Sequence, residues 1–296
     1  MVTGERSGVL HEGLAWLKAS AEGRDWLARL PSLVDACADA WSLTLGEPFQ
    51  YAFASLALPA TRDDGSAAVL KIQFPDRESE HEAAALEHMA GDGAVRLLAY
   101  DAERRALLLE RADPGTPLRD LEPDDALDVL VGLLPRLWKP ADAPFRPLAD
   151  EAAWWAGSLP DDYERAGRPF ERGLLDAALE AIEALGGSQG EQVLVNQDMH
   201  ADNVIRAQRE PWLLIDPKPL SGEREFGVAS TIRGGELGDS RDAVIHRLNR
   251  LTGDLHLDRE RARRWALAQT IAWAFDDVEA DPGHVEIARW LWEAGR

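Results

Sequence analysis

Three oxygen-bearing side chains stand close together along the middle of the sequence. Asp198 and Asn203 are five positions apart, and Asp216 follows thirteen positions after Asn203. The apolar segments 204–206 and 212–215 are predicted to form a tight hairpin, which would return Asp216 to the neighbourhood of Asn203. In phosphoryl transfer, one carboxylate takes the proton of a hydroxyl group, while a carboxamide and a second carboxylate hold Mg²⁺ against the phosphates. Transfer of phosphate from ATP needs this grouping of side chains, although the Asp-x-x-x-x-Asn spacing alone is a weak signal.

A charged side chain interrupts an apolar segment nearer the start of the chain. Lys71 lies within residues 67–74, a predicted strand where an unpaired ammonium group would be costly. Glu82, on the predicted helix that follows, is the proposed partner, although Glu78 and Glu80 lie on the same helix. A strand lysine paired with a helix glutamate positions the α- and β-phosphates of ATP in kinases. We therefore expect Lys71 and Glu82 to belong to an ATP site.

A further apolar strand, predicted at 106–109, leads into the proline- and glycine-containing segment 113–117, where the two predicted lobes join. Backbone N–H and C=O groups in such a crossover can bind the edge of an adenine ring. We expect Glu110 and Ala112 to contact ATP in this way. The order along the chain (lysine, glutamate, crossover strand, Asp-x-x-x-x-Asn, later aspartate) is the order found in kinases, and the set is more specific than any one member.

The elements predicted before residue 112 form a small mixed lobe, residues 1–111, which is predicted to bind ATP. Apolar residues at helical intervals predict helices before residue 46, broken at Pro31. The rest is a hairpin, a helix and a second hairpin, at 51–58 and 67–74, then 78–89, then 95–99 and 106–109.

Residues 112–296 are predicted to form a mainly helical second lobe that carries the catalytic loop and the substrate site. Pro123 begins one helix, and others are predicted near 171–185 and at 258–277, with the one hairpin of residues 204–215 inserted between them. The tryptophans, including the adjacent pair Trp154 and Trp155, are predicted to lie in the core. The predicted fold class is therefore α+β, a protein-kinase-like two-lobed fold.

The charge balance restricts the partners of this protein. The 296 residues include 53 acidic and 32 basic side chains, a net charge of −21. Such a field repels nucleic acid and anionic membranes, and neither is predicted as a partner. A small-molecule substrate is predicted instead, and the negative field would favour a cationic one, although acidity also serves solubility alone.

The compartment is predicted from three features. No stretch approaches the roughly 18 consecutive apolar residues of a transmembrane helix. The first ten residues lack a basic region followed by an apolar run, so they do not read as a secretory signal. Cys37 is the only cysteine and forms no intrachain disulfide. We expect a cytoplasmic protein.

The motifs resemble those of a known enzyme family. The segment 196–203, Asn-Gln-Asp-Met-His-Ala-Asp-Asn, is similar to the His-Gly-Asp-x-His-x-x-Asn loop of aminoglycoside phosphotransferases. Within that family, the sequence is most similar to the streptomycin 6-phosphotransferase and hydroxyurea-resistance kinase branch. This similarity lies in the segment 215–218 (Ile-Asp-Pro-Lys) and in the segments 93–98 and 107–110. The resemblance runs from Phe49 to the C-terminus.

This resemblance implies a kinase-like fold, ATP and Mg²⁺ as cofactors, and phosphorylation of a hydroxyl group on an antibiotic or related metabolite. It makes Asp198 the catalytic base, Asn203 and Asp216 the metal ligands, and Lys71 the phosphate anchor.

The sequence departs from the family pattern in three places, one of which follows Lys218, where many relatives carry aspartate in place of Glu223 or Glu225. Asn196 and Gln197 stand where the family usually has His-Gly, a change that could alter substrate preference. The phosphate-covering segment 47–54 contains no glycine, although glycines let backbone amides close over phosphates. A nucleotide-binding pseudokinase, or a kinase of a metabolite that is not an antibiotic, is the alternative function.

Three roles stay open from the residues alone. His200 is interpreted as bracing the loop rather than acting as a base. Lys218 is either a phosphate contact or a solvated lysine. The acidic group Asp276, Asp277 and Glu279 either ends a helix or lines a pocket for a cationic substrate.

Overall fold

The computed structural model describes residues 12–50, 54–276 and 278–296. The chain divides into two compact units: Met1–Gly91 with Val95–Asp113, and Asp92–Ala94 with Pro114–Arg296. The first combines a sheet with helices and the second is mainly helical. The assignment of ATP to residues 1–111 and of the acceptor to residues 112–296 stays a prediction.

A five-stranded antiparallel sheet forms the centre of the described part of the first unit, in the order β1-β2-β3-β5-β4. Its strands are β1 (Thr44–Leu45), β2 (Ser55–Thr61), β3 (Ala67–Gln73), β4 (Leu97–Asp101) and β5 (Ala106–Glu110). The predicted hairpins are confirmed as β2–β3 and β4–β5, while residues 51–53 of the first predicted strand lie outside the described residues. Because β3 is the middle strand, Lys71 lies between Ala57 of β2 and Leu107 of β5.

The leading helix of the first unit corrects one prediction. A 3₁₀ helix spans Glu12–Ala19, and α1 spans Ala21–Ala40 with Pro31 inside it. The break falls at Ser20, whose hydroxyl group accepts a hydrogen bond from the N–H of Gly23 at 2.9 Å. Proline in a helix interior costs about 3 kcal/mol. Each large apolar side chain buried contributes about 1.5–3 kcal/mol, and α1 buries several against β2 and β3: Trp26, Leu27, Leu30 and Val34.

The second helix of this unit, α2 (Glu82–Met89), begins later than predicted. The predicted start, Glu78, lies in a turn instead. Asp76 Oδ1 accepts hydrogen bonds from the backbone N–H groups of Glu78 and Ser79, each at 2.8 Å. An aspartate that bonds its own downstream backbone favours a turn over a helix, so α2 starts at Glu82 itself.

Helices α3 to α9 form most of the second unit. Their bounds are α3 Pro123–Leu137, α4 Leu148–Arg165, α5 Arg172–Gly186, α6 Ala229–Arg233, α7 Arg241–Asp254, α8 Arg259–Ala272 and α9 Pro282–Glu293. The helices predicted from Pro123, near 171–185 and at 258–277 correspond to α3, α5 and α8. The sequence reasoning missed α4, α6, α7 and α9, and α8 ends at Ala272 rather than at 277. The core prediction for the tryptophan pair is half wrong, because α4 buries Trp155 but leaves Trp154 51% exposed. Across the described ranges, no helix combines the length and apolar character needed to cross a membrane.

Two small antiparallel sheets complete the second unit. Strands β7 (Val204–Arg206) and β8 (Trp212–Leu214) form the predicted hairpin. Strands β6 (Val193–Asn196) and β9 (Pro219–Gly222) pair with each other, which the sequence reasoning did not predict. Because β6 ends where the polar loop 197–203 begins and β9 begins just after Lys218, their pairing places the loop beside the segment 215–218.

Candidate active site

The end of β6 fixes the start of the polar loop. The side-chain oxygen of Asn196 accepts hydrogen bonds from the backbone N–H of Asp198 at 3.0 Å and from that of Lys218 at 2.9 Å. The backbone N–H of Gln197 donates to the carbonyl oxygen of Lys218 at 2.9 Å. The Asn196 side chain, which departs from the family pattern, and the Gln197 backbone therefore hold Asp198 and Lys218 side by side.

Buried polar side chains from α6 and α8 fix the rest of the loop backbone. The hydroxyl group of Thr231 donates to the backbone carbonyl oxygen of Met199 at 2.5 Å. The side-chain amide of Gln269 donates to the backbone carbonyl oxygen of Gln197 at 2.8 Å. Thr231 and Gln269 are at most 1% exposed. Buried polar groups need partners, and here the partners are the carbonyl groups of the loop. Sequence reasoning missed both residues, and the only available signal was a polar residue among apolar ones.

A carboxylate reaches the same loop from the segment after α6. Glu236 Oε1 accepts a hydrogen bond from the backbone N–H of Ala201 at 2.9 Å. The buried guanidinium group of Arg247, on α7, in turn donates to the carbonyl oxygens of Leu237 at 2.9 Å and Gly238 at 2.7 Å. The loop is thus held by hydrogen bonds along its length, and this rigidity is what a catalytic group requires.

Asp198 is held as an ionised carboxylate. Its Oδ2 lies 3.2 Å from the Lys218 ammonium nitrogen, and its Oδ1 lies 3.5 Å from His200 Nε2. Burial by itself would raise the pKa of Asp198. The hydrogen bond from His200 and the charge of Lys218 outweigh burial and hold the pKa well below its usual range. The carboxylate is therefore ionised at neutral pH and able to accept a proton.

His200 makes the contacts of a bracing residue. In the neutral ring its Nδ1 accepts a hydrogen bond from the backbone N–H of Asp202 at 3.3 Å, and its Nε2 lies 3.0 Å from the amide nitrogen of Asn203. Burial lowers the pKa of His200, but the hydrogen bond and charge of Asp198 raise it more, so the pKa lies above the usual 6.5.

The raised pKa of His200 predicts how stability depends on pH in the absence of nucleotide and Mg²⁺. Since the folded state binds this proton more tightly than the unfolded state, the stabilisation is complete below about pH 6.5 and is lost as pH rises through the folded pKa. At pH 6 the wild type should have a larger free energy of unfolding than His200→Gln. We expect this difference to shrink as the pH is raised from 6 to 9. Urea unfolding at a series of pH values measures it, and a constant difference would contradict the proposed coupling to Asp198.

Asn203 and Asp216 lie at adjoining positions, as the predicted hairpin requires. The backbone N–H of Ile215 donates to the carbonyl oxygen of Asn203 at 2.8 Å, which places Asp216 one residue further on. Asp216 has a φ of +51°, in the left-handed region that non-glycine residues rarely adopt. Such backbone strain is concentrated at functional sites.

The donor set at Asn203 and Asp216 fits a Mg²⁺ ion. The amide nitrogen of Asn203 donates to the carbonyl oxygen of Asp198 at 3.0 Å, which fixes the orientation of the carboxamide and turns its oxygen away from that carbonyl. A carboxamide oxygen and a carboxylate are hard ligands of the kind that Mg²⁺ takes alongside substrate phosphates. Within the described ranges no group of three His, Cys, Asp or Glu side chains is arranged to hold a metal ion, and Mg²⁺ bound with phosphates does not need one.

The first unit contains the predicted lysine–glutamate pair. Lys71 Nζ donates to both carboxylate oxygens of Glu82, at 2.8 and 2.7 Å, and the side-chain amide of Gln73 donates to the same carboxylate at 2.6 Å. The side chains of Lys71 and Glu82 are only 8% and 0% exposed. Of the three candidate glutamates, Glu82 is therefore the partner, whereas Glu78 and Glu80 precede α2.

The crossover residues lie at the end of β5. The backbone N–H of Glu110 donates to the carbonyl oxygen of Arg96 at 2.9 Å, and its carboxylate accepts from the Arg96 N–H at 3.0 Å. Ala112 is half-buried and lies beyond the last strand of the sheet. Contact of either residue with ATP stays a prediction.

Two predicted features fall partly outside the described residues. Asp277 is not described, and Asp276 accepts backbone hydrogen bonds from Val278 and Glu279 at 2.9 and 2.8 Å, so its carboxylate closes a turn. Residues 51–53 of the phosphate-covering segment are also not described.

Comparison with known sequences finds close relatives. The family model for aminoglycoside/hydroxyurea antibiotic resistance kinases matches residues 41–278. A streptomycin 6-kinase from Streptomyces griseus is 39% identical over 265 residues, which cover 87% of this chain and 86% of the relative. A hydroxyurea phosphotransferase from Kitasatospora aureofaciens is 37% identical over 90% of this chain and 80% of its own length.

Comparison with solved structures confirms the fold class. The choline kinase LicA from Streptococcus pneumoniae has a TM-score of 0.63 and covers 90% of this chain and 99% of its own. A second structure of LicA, solved with AMP bound, gives a TM-score of 0.60. At 11 and 12% identity these likenesses concern the fold alone, and they identify it as the predicted kinase-like α+β fold.

Proposed function

The chain belongs to the aminoglycoside/hydroxyurea antibiotic resistance kinase family, and from this premise we propose that it transfers the γ-phosphoryl group of ATP to a hydroxyl group of an aminoglycoside-type antibiotic. One observation carries the proposal: the Asp198 carboxylate lies 3.2 Å from the Lys218 ammonium nitrogen and 3.5 Å from His200 Nε2, in a loop that also supplies Asn203. A kinase that phosphorylates an alcohol requires a fixed acceptor for the hydroxyl proton.

In the proposed reaction Asp198 accepts a hydrogen bond from the acceptor hydroxyl group and takes its proton as the oxygen attacks the γ-phosphorus. The bond between this phosphorus and the oxygen of ADP breaks, and ADP leaves with the bonding electrons. Lys71, oriented by Glu82, binds phosphate oxygens of the nucleotide. Asn203 and Asp216 would hold Mg²⁺, which when bound supplies positive charge to the phosphate oxygens.

The acceptor class is inferred from the relatives and from charge. Streptomycin is the antibiotic in the name of the 39% identical relative, and it is the first acceptor to test. A net charge of −21 would attract a cationic acceptor electrostatically. Since ATP is an intracellular nucleotide, the proposal also places the protein in the cytoplasm.

The test combines the purified protein and MgATP with a panel of acceptors: streptomycin, other aminoglycosides, hydroxyurea and amino sugars. We expect ADP to be released in proportion to one acceptor, and mass spectrometry to find that acceptor heavier by one phosphoryl group. A host that expresses the protein should then tolerate the drug. Nucleotide binding by calorimetry without transfer to any acceptor would favour a pseudokinase instead and would contradict the proposal.

A further inference from the structure

The polar loop supplies no lysine or arginine side chain for the phosphoryl group. Residues 196–203 contain no lysine or arginine. During transfer, negative charge spreads over the peripheral oxygens of the phosphoryl group, and kinases and related enzymes place cations against them. The ammonium group of Lys218, 3.2 Å from Asp198 Oδ2, is supplied from outside the loop, two residues after Asp216.

Lys218 is fixed in place before any substrate binds. Asn196 and Gln197 hold its backbone, through the N–H at 2.9 Å and the carbonyl oxygen at 2.9 Å. Its ammonium nitrogen lies 5.3 Å from the centre of the Trp273 ring, within the range of a cation–π contact. A charge that needs no reorganisation at the moment of reaction stabilises a transition state most effectively.

The surroundings of Lys218 differ from those of a solvated lysine. Its side chain is 24% exposed and that of Asp198 is 17% exposed, so both are largely shielded yet still reachable by a substrate. In such a site a positive charge is worth more than in open water. Since Asp198 is the proposed base, the γ-phosphorus and its oxygens must come within a few ångströms of it, and so of the adjacent ammonium group.

We propose that Lys218 is a catalytic residue that contacts the transferring phosphoryl group and pairs with Asp198. The inference rests on the function proposed above. In the transfer step the acceptor oxygen bonds to phosphorus, the phosphorus–oxygen bond to ADP breaks, and the hydroxyl proton passes to Asp198. Lys218 keeps its own proton and acts only through its charge and its N–H donors.

The test compares Lys218→Met with the wild type, using the acceptor identified above, or water as the acceptor in ATP hydrolysis. We expect kcat to fall about 100-fold or more, the size found when one transition-state donor is removed. The KM values for ATP and the acceptor should change little. Calorimetry with MgADP should give the same dissociation constant for the variant and the wild type. Aluminium fluoride mimics the transferring phosphoryl group and should tighten the binding of MgADP to the wild type. In Lys218→Met this tightening should be lost.

Three further variants sharpen the test. Lys218→Arg keeps the charge and should recover part of kcat. If circular dichroism shows that Lys218→Met is not folded, Lys218→Gln takes its place. Lys139→Met removes a half-buried lysine that pairs with Asp92 at 3.5 Å and should behave as the wild type.

The outcomes separate the two proposals. Wild-type kcat in the folded Lys218→Met variant, or aluminium fluoride binding equal to that of the wild type, would overturn the role of Lys218 and leave the proposed function standing. A wild type that neither phosphorylates any acceptor nor hydrolyses ATP would overturn both.

Discussion

Replacing Asp198 with asparagine is expected to lower kcat for phosphoryl transfer by about 10³-fold or more, with MgATP still bound. Asparagine keeps the size of the side chain but cannot take the hydroxyl proton, and it removes the negative charge beside Lys218 at 3.2 Å. Steady-state rates of ADP release, measured with saturating acceptor, give the change in kcat. Calorimetric titration with MgATP tests whether binding survives.

The matched control for this variant is Asp176→Asn. The Asp176 side chain on α5 is 57% exposed and pairs with Arg172 on the same helix, so its replacement should leave kcat unchanged. Thermal unfolding of both variants checks that the fold is intact. If Asp198→Asn turned over at the wild-type rate, Asp198 would not be the base.

The second large effect is expected at the buried ion pair of the first unit. Lys71→Met should lower the free energy of unfolding by about 3–5 kcal/mol, because it leaves the carboxylate of Glu82 buried without its cation. Gln73, which donates to that carboxylate at 2.6 Å, carries no charge to replace the lost ammonium group. The midpoint and slope of urea unfolding measure the loss. The same variant should raise the KM for ATP, since Lys71 is the proposed phosphate anchor.

A double variant separates the cost of an unpaired charge from the value of the pair. Lys71→Met with Glu82→Leu removes both charges, and Gln73 can still donate to the carbonyl oxygen of Ser79 at 3.3 Å. We expect the double variant to be more stable than Lys71→Met alone. Lys139→Met, which breaks a partly exposed pair, should cost no more than about 1 kcal/mol. A double variant no more stable than the single one would contradict this reading of the pair.

The features that the sequence predicted correctly have local or chemical signatures. A lysine within an apolar strand demands a partner, and the next helix carries a glutamate at Glu82. The hairpin β7–β8 has two short apolar runs around a polar turn, so the return of Asp216 to Asn203 follows from chain geometry. Amphipathic helices such as α3 and α5 show regular apolar spacing.

The features that the sequence did not predict depend on distant partners. The β6–β9 pairing joins segments more than twenty residues apart, and short strands carry no periodic pattern of their own. Helix α7 is polar, and tertiary packing of its few apolar residues stabilises it. Pro31 favours a helix break, but burial of the apolar face of α1 outweighs that preference.

The positioning residues of the site were missed for a related reason. Asn196 was noted only as a departure from a family pattern, yet its carboxamide joins the backbones of Asp198 and Lys218. Glu236 contacts the loop across thirty-five positions of sequence. Hydrogen bonds of this kind are specified by the fold, so only the structure identifies them.

A single measurement addresses the central proposal most directly: phosphorus NMR of the acceptor isolated after turnover with MgATP. We expect one phosphate ester on an acceptor oxygen for each ADP formed by the wild type, and none from Asp198→Asn. ADP accompanied only by inorganic phosphate, or a phosphorylated acceptor formed equally well by Asp198→Asn, would contradict transfer to a hydroxyl group with this carboxylate as the base.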